Sequence, residues 1–185
     1  MGRRMLVFVA AAACVVALVT PVQATNFGIP FADNSYHRYN YDPSIQARWR
    51  DSAERSRVNS YDTTSMSSVV ECCHTDTVDI WLHSQPVPNA DGEYNCLYYT
   101  NILQNACDHA HIKFETGARN NGTAWTDTYQ VGLACHEIGH SVGLRHGVGD
   151  STYQCMTSTP ATKFLGAHNV AHINSYYSVS DTRRE

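Results

Sequence analysis

Residues 136–146 read HEIGHSVGLRH, and this stretch decides how the surrounding chain has to fold. On a helix, His136 and His140 lie one turn apart on the same face, so both imidazoles can bind one metal ion. Glu137 is adjacent to the first histidine, where a carboxylate can take a proton from a metal-activated water. The stretch therefore predicts a helix that carries a catalytic metal site.

The end of this helix is predicted from Gly143. Glycine adopts the left-handed conformation that ends a helix and reverses the chain, which would bring His146 back toward the first two histidines. Three neutral imidazoles then bind Zn²⁺ and leave a fourth position open for water, as in catalytic rather than structural sites. We expect His136, His140 and His146 to be the metal ligands. Histidines four apart on a helix are usually only a polar surface, but five fixed positions favour the zinc site.

This pattern resembles the hallmark of the metzincin zinc endopeptidases, which also have a methionine turn downstream of the third histidine. Met156 is at the position of that methionine, and the resemblance implies that it forms an apolar floor beneath the histidines. Asp79–Leu82 and His111–Phe114 are similar to sheet strands of matrixin-type domains, and Val170–Tyr177 is similar to their terminal helix. Matrixin-like is therefore the nearest description within the metzincins.

The resemblance implies an α+β fold, in which a mixed, twisted sheet packs on the active-site helix and a C-terminal helix follows. It also implies that an extended substrate pairs with an edge strand above the cleft, for which His111–Phe114 is the candidate. Two positions depart from the subfamily patterns. Gly147 follows the third histidine, where matrixins typically have serine and astacins glutamate. Ser158 lies where some metzincins have a tyrosine, so no tyrosine ligand is expected.

The beginning of the chain predicts export. Two arginines precede an apolar run at Met5–Val19, and Val22-Gln23-Ala24 offers a cleavage site. The run is short for a membrane span, although an uncleaved anchor is the alternative. We expect a signal peptide at 1–24 and a single zinc metallopeptidase domain at 25–185. The product would be secreted to the extracellular space and would not bind a membrane after cleavage.

Composition limits the classes of partner that we expect the chain to bind. Without the two N-terminal arginines, 13 basic residues become 11 against 17 acidic residues, a formal charge of −6. Nucleic-acid binding is therefore not expected. About 160 residues suit a single core, and a monomer is the expected state. A latency segment of the matrixin type would have a cysteine near the start of the exported chain, and none precedes Cys72. We expect a short or absent pro-segment.

Cysteine usage also favours an oxidising compartment. Of seven cysteines, Cys14 is in the signal segment, which leaves six for disulfides: Cys72, Cys73, Cys96, Cys107, Cys135 and Cys155. Adjacent cysteines have Cα atoms about 3.8 Å apart, below the usual disulfide range of about 4.4–6.8 Å. Cys72 and Cys73 are therefore expected to have different partners, and the remaining connectivity stays open. If the metzincin geometry holds, Cys135 and Cys155 can join the zinc helix to its floor. A metal site around Cys72, Cys73 and His74 is disfavoured, because contiguous residues do not easily surround one ion.

The other elements are predicted from local pattern. We expect an extended arm or loop at Thr25–Tyr41, followed by a helix with Asp42 as N-cap and Pro43 at its first position. In that helix Ile45, Trp49 and Ala53 recur at four-residue spacing and form a core-facing stripe. The candidate strands are Ser68–Glu71, Val78–Leu82 and His111–Phe114. Loops are expected at 84–92 and at 115–123, and the second loop contains the glycosylation-type triplet Asn121-Gly122-Thr123.

Further metal sites stay open. His109 and His111 share one face of a predicted strand, where matrixins have a second, structural zinc. His168 and His172 are four apart on the predicted terminal helix. Solvated or hydrogen-bonded histidines explain both pairs equally well. Calcium is possible but not indicated, because no dense acidic loop surrounds the aspartates of the chain.

The function implied by the resemblance is that of a secreted zinc-dependent endopeptidase acting on a protein or peptide substrate. The three histidines bind Zn²⁺, and Glu137 is the general base for the zinc-activated water that hydrolyses the peptide bond. Gly143 and Met156 support the site. Two alternatives are a secreted zinc-binding module without turnover and a zinc hydrolase of a non-peptide substrate. The presence of Glu137 favours turnover, and side-chain preference is not readable from the sequence.

Overall fold

The structure, a computed structural model, describes residue 28 and residues 30–71, 78–101, 105–147, 151–160 and 162–180. The predicted signal peptide and the segment with Cys72, Cys73 and His74 lie outside the described residues. The strands and helices are, in chain order, β1 (Phe31–Ala32), β2 (Tyr36–Tyr41), α1 (Ala47–Ser56), β3 (Ser67–Val70), β4 (Ile80–Ser84), β5 (Gly92–Asn101), β6 (Ala106–Phe114), α2 (Asp127–Ser141) and α3 (Ala167–Ser180). A π-helical turn, Arg57–Tyr61, extends α1, and a 3-10 segment, Ser151–Met156, precedes α3.

The strands form one mixed six-stranded sheet with the order β1-β6-β4-β2-β3, in which β5 also pairs with β6. Four of the pairings are parallel, and only β5 runs antiparallel, against β6. The antiparallel register places Tyr94 opposite Ile112 and Glu93 opposite Lys113. The predicted combination of a mixed sheet, an active-site helix and a C-terminal helix is confirmed.

The two faces of the sheet differ because side chains alternate along a strand. In β4 and β6 the buried residues Leu82, Ile112 and Phe114 belong to the hydrophobic core, which also includes residues of α1 and α2. The intervening residues are half-buried, and they include Trp81 and His111, which are register partners. The sheet therefore supports the helices with one face and presents aromatic and histidine side chains on the other.

Helix α2 begins with a local cap and continues into the core. The Thr126 hydroxyl accepts a hydrogen bond from the Tyr129 backbone N–H at 3.2 Å, which satisfies one free donor of the first turn. Further along, all residues from Val131 to Gly139 are buried. Helix α1 lies beside α2, and its Ser56 hydroxyl donates to the Val131 carbonyl at 2.9 Å. The residues of 136–140 are thus held on a helix that is packed along most of its length.

The region before α1 differs from the sequence prediction. Tyr36–Tyr41, predicted as part of an arm or loop, is strand β2 and lies between β3 and β4. Its His37, Tyr39 and Asn40 are buried, as expected for a strand inside the sheet. A run of aromatic and polar residues without aliphatic ones gave a weak strand signal.

The predicted N-cap is also wrong. Asp42 lies in a turn, where its side chain accepts from the Ser44 N–H at 2.7 Å and its carbonyl accepts from Ile45 at 2.9 Å. Helix α1 begins at Ala47, and its N-cap Gln46 makes no side-chain cap hydrogen bond. The local Asx turn satisfies Asp42 before a helix can begin. The predicted core stripe is confirmed in part. Trp49 and Ala53 lie on α1 and are fully buried, and the Trp49 ring stacks on Phe114 at 4.8 Å between centroids, whereas Ile45 precedes the helix and is partly buried.

The strand at the edge of the sheet near the helices is not the one that the sequence predicted. His111–Phe114 lies inside β6, which has β4 on one side and β5 on the other, so its backbone is already paired. The accessible edge belongs to β5, Gly92–Asn101, for which the sequence analysis predicted no strand. Its polar and exposed residues, and the register shifts after Cys96, weaken the alternation that identifies strands.

The described cysteines form two disulfides. Cys96 pairs with Cys107 across β5 and β6, and Cys135 pairs with Cys155. The second bridge is the one that the metzincin resemblance allowed. These four cysteines pair with one another. None of them can therefore be the partner that was predicted separately for Cys72 and for Cys73. No helix in the described part of the chain is long and apolar enough to cross a membrane.

Candidate metal centre

The three predicted ligands meet at one point. The Nε2 atoms of His136 and His146 are 2.9 Å apart, and the Nε2 of His140 is 3.1 Å from each of them. His136 and His140 come from one face of α2, and His146 comes from the segment after the helix. Side chains ten positions apart in the chain thus present the same ring nitrogen to a common centre.

Backbone carbonyls orient two of these imidazoles from behind. The Nδ1 of His136 lies 2.9 Å from the Cys155 carbonyl, and the Nδ1 of His140 lies 2.8 Å from the Leu144 carbonyl. A carbonyl can only accept, so each Nδ1 donates its proton and each Nε2 keeps a lone pair. Burial lowers the pKa of His136 to about 3 and that of His140 to about 4. Both rings are therefore neutral at pH 7.

The donor set fits a zinc ion. Tetrahedral Zn²⁺ with Zn–N bonds of about 2.0–2.1 Å holds its nitrogen ligands roughly 3.3 Å apart, close to the separations found here. Neutral imidazoles are preferred ligands of zinc, and three of them leave one coordination position. His136 is only 5% exposed, whereas His146 is exposed. The centre is therefore buried on the helix side and open on the cleft side.

Gly143 produces the chain reversal after α2. Its φ of 87° lies in the left-handed region that favours glycine, and its N–H donates to the His140 carbonyl at 3.0 Å. The Leu144 N–H donates to the Gly139 carbonyl at 2.9 Å. These bonds satisfy carbonyls of the last helical turn and direct the following residues back toward the histidines.

Met156 is fully buried against the helix that carries the ligands. A Cβ added at Gly139 would lie 2.2 Å from the Met156 Sδ, so the methionine occupies space that only glycine leaves free at this position. The Gly147 N–H donates to the Met156 carbonyl at 2.8 Å, which fixes the loop next to His146. The sequence analysis did not single out Gly139, although a glycine inside a helix is a signal for such a close contact.

The disulfide Cys135–Cys155 lies beside the first ligand. Cys135 directly precedes His136, and the carbonyl of Cys155 is the acceptor for the His136 ring. Both cysteines are fully buried. The bridge thus restrains the two chain segments that fix the orientation of this imidazole.

Glu137 lies next to the centre and is 5% exposed. Burial, with a smaller contribution from the carboxylate of Glu93, raises the pKa of Glu137 to about 8. Strand β5 approaches it closely, since a Cβ added at Gly92 would lie 2.6 Å from the Glu137 Oε1. Gly92 is therefore part of the site, although the sequence suggested only a loop there.

A cavity of about 490 Å³ extends from the histidines along α2. One wall is held by Asp91, whose carboxylate accepts from the Tyr129 hydroxyl at 2.7 Å and from the Arg119 Nε at 3.2 Å. The Arg119 guanidinium also stacks over the Tyr129 ring, 3.3 Å from its centroid. Burial alone would raise the pKa of Asp91, but these hydrogen bonds and that from the Asn120 N–H lower it. Sequence reasoning missed this unit because its members come from separate loops and a helix.

A second cavity of about 540 Å³ adjoins the first at the centre. Tyr94, Leu144 and Arg145 line it, together with His140 and His146. Tyr94, His140 and His146 also line the first cavity. The metal centre therefore lies where two depressions of similar size adjoin.

The remaining histidines of the sheet do not gather in the same way. The His109 ring bonds to the Val78 carbonyl at 2.6 Å, and the rings of His83 and His111 lie 4.5 Å apart between centroids. Among the described residues, two groups of three possible ligands bring their ligand atoms within 4.8 Å of one another, and neither includes these histidines. The second zinc considered for His109 and His111 thus has no third described ligand.

The other group consists of Asp33, Asp79 and Asp108. The buried carboxylate of Asp79 accepts from the Arg38 N–H at 2.6 Å. Burial, with smaller contributions from the neighbouring Asp33 and Asp108, raises the pKa of Asp79 to about 7. The cluster thus combines three carboxyl groups, of which the buried one takes up a proton more readily than a free aspartate.

Comparisons with known proteins find similarity among solved structures. No protein-family model matches the chain, and no match is found among curated proteins. Among solved structures, the chain resembles high choriolytic enzyme 1, a hatching-enzyme zinc protease of the medaka fish Oryzias latipes, at 11% sequence identity with a TM-score of 0.42. The match covers 82% of this chain and 94% of that chain. At this level of similarity only the residues of the site itself bear on function.

Proposed function

We propose that this chain is a zinc-dependent endopeptidase of the metzincin type. The observation that carries the proposal is the convergence of three neutral imidazoles, with Nε2 atoms 2.9–3.1 Å apart, beside the buried carboxylate of Glu137. His136, His140 and His146 would bind the ion. Zn²⁺ in this position would polarise a scissile carbonyl and lower the pKa of a neighbouring water. The methionine beneath α2 and the glycine-ended helix support the metzincin assignment, and matrixin-like remains the nearest subfamily description.

Glu137 would act as the proton carrier of the reaction. Its pKa falls when a cation is held nearby, so the carboxylate can accept a proton from the attacking water. Oxygen then bonds to the carbonyl carbon, and Glu137 returns the proton to the leaving amine as the C–N bond breaks. Burial of Glu137 favours the first transfer, because it disfavours the charged carboxylate and so makes Glu137 a stronger base. Glu137 thus ends the cycle in its starting state.

The substrate would be an extended peptide. Strand β5 provides an accessible edge that begins at Gly92, next to Glu137, and an edge strand binds a peptide through backbone hydrogen bonds. Two cavities adjoin at the histidines, so a chain crossing the centre has room in each of them. This arrangement supports cleavage of internal bonds rather than hydrolysis of a small ester.

The protein would be exported. The two disulfides are typical of an oxidising compartment, and they support the predicted signal peptide at 1–24, with a single domain at 25–185. The mature domain would be a secreted, extracellular monomer that binds neither nucleic acid nor membrane. Sequencing the N-terminus of the secreted protein tests the boundary, and a terminus beyond Tyr61 would overturn it.

The activity is tested by incubating a denatured protein substrate with the oxidised mature domain. Glu137→Gln removes the proton carrier, and Asp51→Asn on the exposed side of α1 is the matched control. We expect Glu137→Gln to retain zinc and to lose roughly 10²–10⁴-fold in kcat, whereas Asp51→Asn cuts at the wild-type rate. If the zinc-loaded wild type cleaves neither protein nor peptide, the proposal is wrong. An ester and amide panel then separates a non-peptide hydrolase from a binding module.

A further inference from the structure

We propose that His168 and His172 form a second metal site, on α3, for a transition-metal dication of the Zn²⁺ and Cu²⁺ class. The two residues are four apart on the helix, so their side chains lie on one face, one turn apart. Their Nε2 atoms are 3.0 Å apart, and their ring centroids are 4.4 Å apart. Each histidine therefore turns the same nitrogen toward a shared point between the rings.

The metal centre on α2 gives an internal standard for this geometry. There His136 and His140, also four apart on a helix, have Nε2 atoms 3.1 Å apart and ring centroids 4.7 Å apart. The pair on α3 matches these values to within a few tenths of an ångström. A helix that presents two imidazoles at this spacing forms a bidentate chelate without rearrangement of its backbone.

The placement of the two rings also suits a cation. His172 is 7% exposed, so its ring has little access to water, and a neutral imidazole there can offer a lone pair. Without a metal, one ring must donate its Nε2 proton to the other. A dication takes the place of that proton and satisfies both nitrogens at once.

The position of the pair suits a small, partly solvated ion. Helix α3 buries Asn169, Ile173 and Tyr177 against the domain, while His168 is half-buried at the side of that face. Water can complete the coordination there. Two imidazoles are ligands of intermediate softness, which select Cu²⁺, Ni²⁺ or Zn²⁺ over Ca²⁺ and Mg²⁺.

Binding would stabilise the helix that closes the domain beside α2. The Tyr177 hydroxyl lies 3.3 Å from the Val142 carbonyl, at the end of α2. A chelate across the beginning of α3 would hold these turns in helical form, and a ligand that binds only the folded state raises its stability. The second site is thus structural, and it does not depend on the proposed peptidase activity.

The stoichiometry of bound metal tests this proposal. The oxidised mature protein is dialysed against micromolar Zn²⁺, and its metal content is measured beside His168→Ala, His172→Gln and the control His111→Gln. We expect two zinc equivalents in wild type and control, and one in each α3 variant. The equivalent that remains shows that the variants are folded. If both α3 variants keep two zinc equivalents, the α3 site does not exist. The same conclusion follows if wild type binds a single equivalent and both variants keep it.

A second measurement identifies the ligands. Cu²⁺ added to wild type loaded with a single zinc equivalent, which the three-histidine centre takes up, should give an electron paramagnetic resonance spectrum with coupling to nitrogen, which His168→Ala loses and His111→Gln retains. Persistence of that spectrum in His168→Ala would overturn the assignment. If the centre on α2 binds no zinc, wild type holds one equivalent and His168→Ala none. The loss of one equivalent thus tests the pair independently of the peptidase proposal.

Discussion

The described residues include two groups of three possible ligands, one at α2 and one at the sheet. Their ligand atoms are similarly close, but the chemical nature of the ligands differs. The imidazoles of the α2 group are neutral, and two of them are oriented by backbone carbonyls so that lone pairs converge. The group of Asp33, Asp79 and Asp108 brings together like charges, and burial holds a proton on Asp79 near neutral pH. Groups with similarly close ligand atoms can therefore differ in protonation state and in the hydrogen bonds that orient them.

Removal of one imidazole should have the largest effect. In His146→Ala the centre keeps only the two ligands from α2, and we expect zinc affinity to fall to that of a two-histidine chelate and peptide cleavage to fall below detection. The measurement is zinc content together with turnover of a denatured protein. In the comparison cluster, Asp108→Asn should leave both unchanged. Zinc retained at wild-type affinity in His146→Ala would show that His146 is not a ligand.

Displacement of the proton carrier should have the next largest effect. In Gly92→Ala the new Cβ would lie 2.6 Å from the Glu137 Oε1, so the carboxylate has to move. A misplacement of about 1 Å can lower the rate roughly 10²-fold, and we expect kcat to fall by that order with zinc content unchanged. Asn95→Ala, on the exposed part of the same strand, is the control. Equal kcat values for the two variants would mean that Gly92 does not position Glu137.

Loss of the disulfide Cys135–Cys155, behind His136, should have a milder effect. The double variant Cys135→Ala/Cys155→Ala keeps the carbonyl that accepts from His136 but no longer restrains it. We expect about 2–4 kcal/mol lower free energy of unfolding and roughly 10–100-fold weaker zinc binding. Denaturant titration and metal competition measure the two effects. The matched change at Cys96 and Cys107, on the sheet, should lower stability without weakening zinc binding.

The aspartate cluster should give the smallest effect, seen in the pH dependence of stability. Because the folded pKa of Asp79, about 7, lies above its unfolded value, the folded state binds more protons, and stability falls as pH rises from about 4 to about 7. A shift of that size corresponds to at most about 4 kcal/mol. We expect about 1–2 kcal/mol, because the carboxylate accepts the Arg38 N–H and can relax toward solvent.

Asp79→Asn removes this titration while keeping an oxygen for the Arg38 N–H. Denaturant titrations at pH 4, 5.5 and 7 should therefore give a flatter profile for the variant, which becomes the more stable protein at pH 7. If wild type instead gains stability over the variant as pH rises, the carboxylate is paired with a cation. The contrast between the two clusters would then disappear.

Sequence reasoning was most successful where contacts are local. The spacing of His136, Glu137 and His140 places them on one helical face, and the glycine at 143 ends that helix, so the neighbourhood of the centre follows from helix geometry. The core-facing stripe that contains Trp49 was likewise predicted from helical spacing. Strands β2 and β5 were missed, because their stability comes from neighbouring strands rather than from their own residues.

By itself, the sequence determined the chemistry of the site: the types of ligand, the carboxylate beside them, and the turn that returns the third histidine. The tertiary structure alone decided what surrounds that chemistry. It brought the edge of β5 to Glu137 at Gly92, placed the Met156 sulfur against Gly139, and joined Asp91 to Tyr129 across the cleft. The physical reason is the distance along the chain that separates the residues in contact. Periodicity along a helix specifies neighbours within one or two turns, whereas contacts between distant segments depend on how the sheet and helices pack.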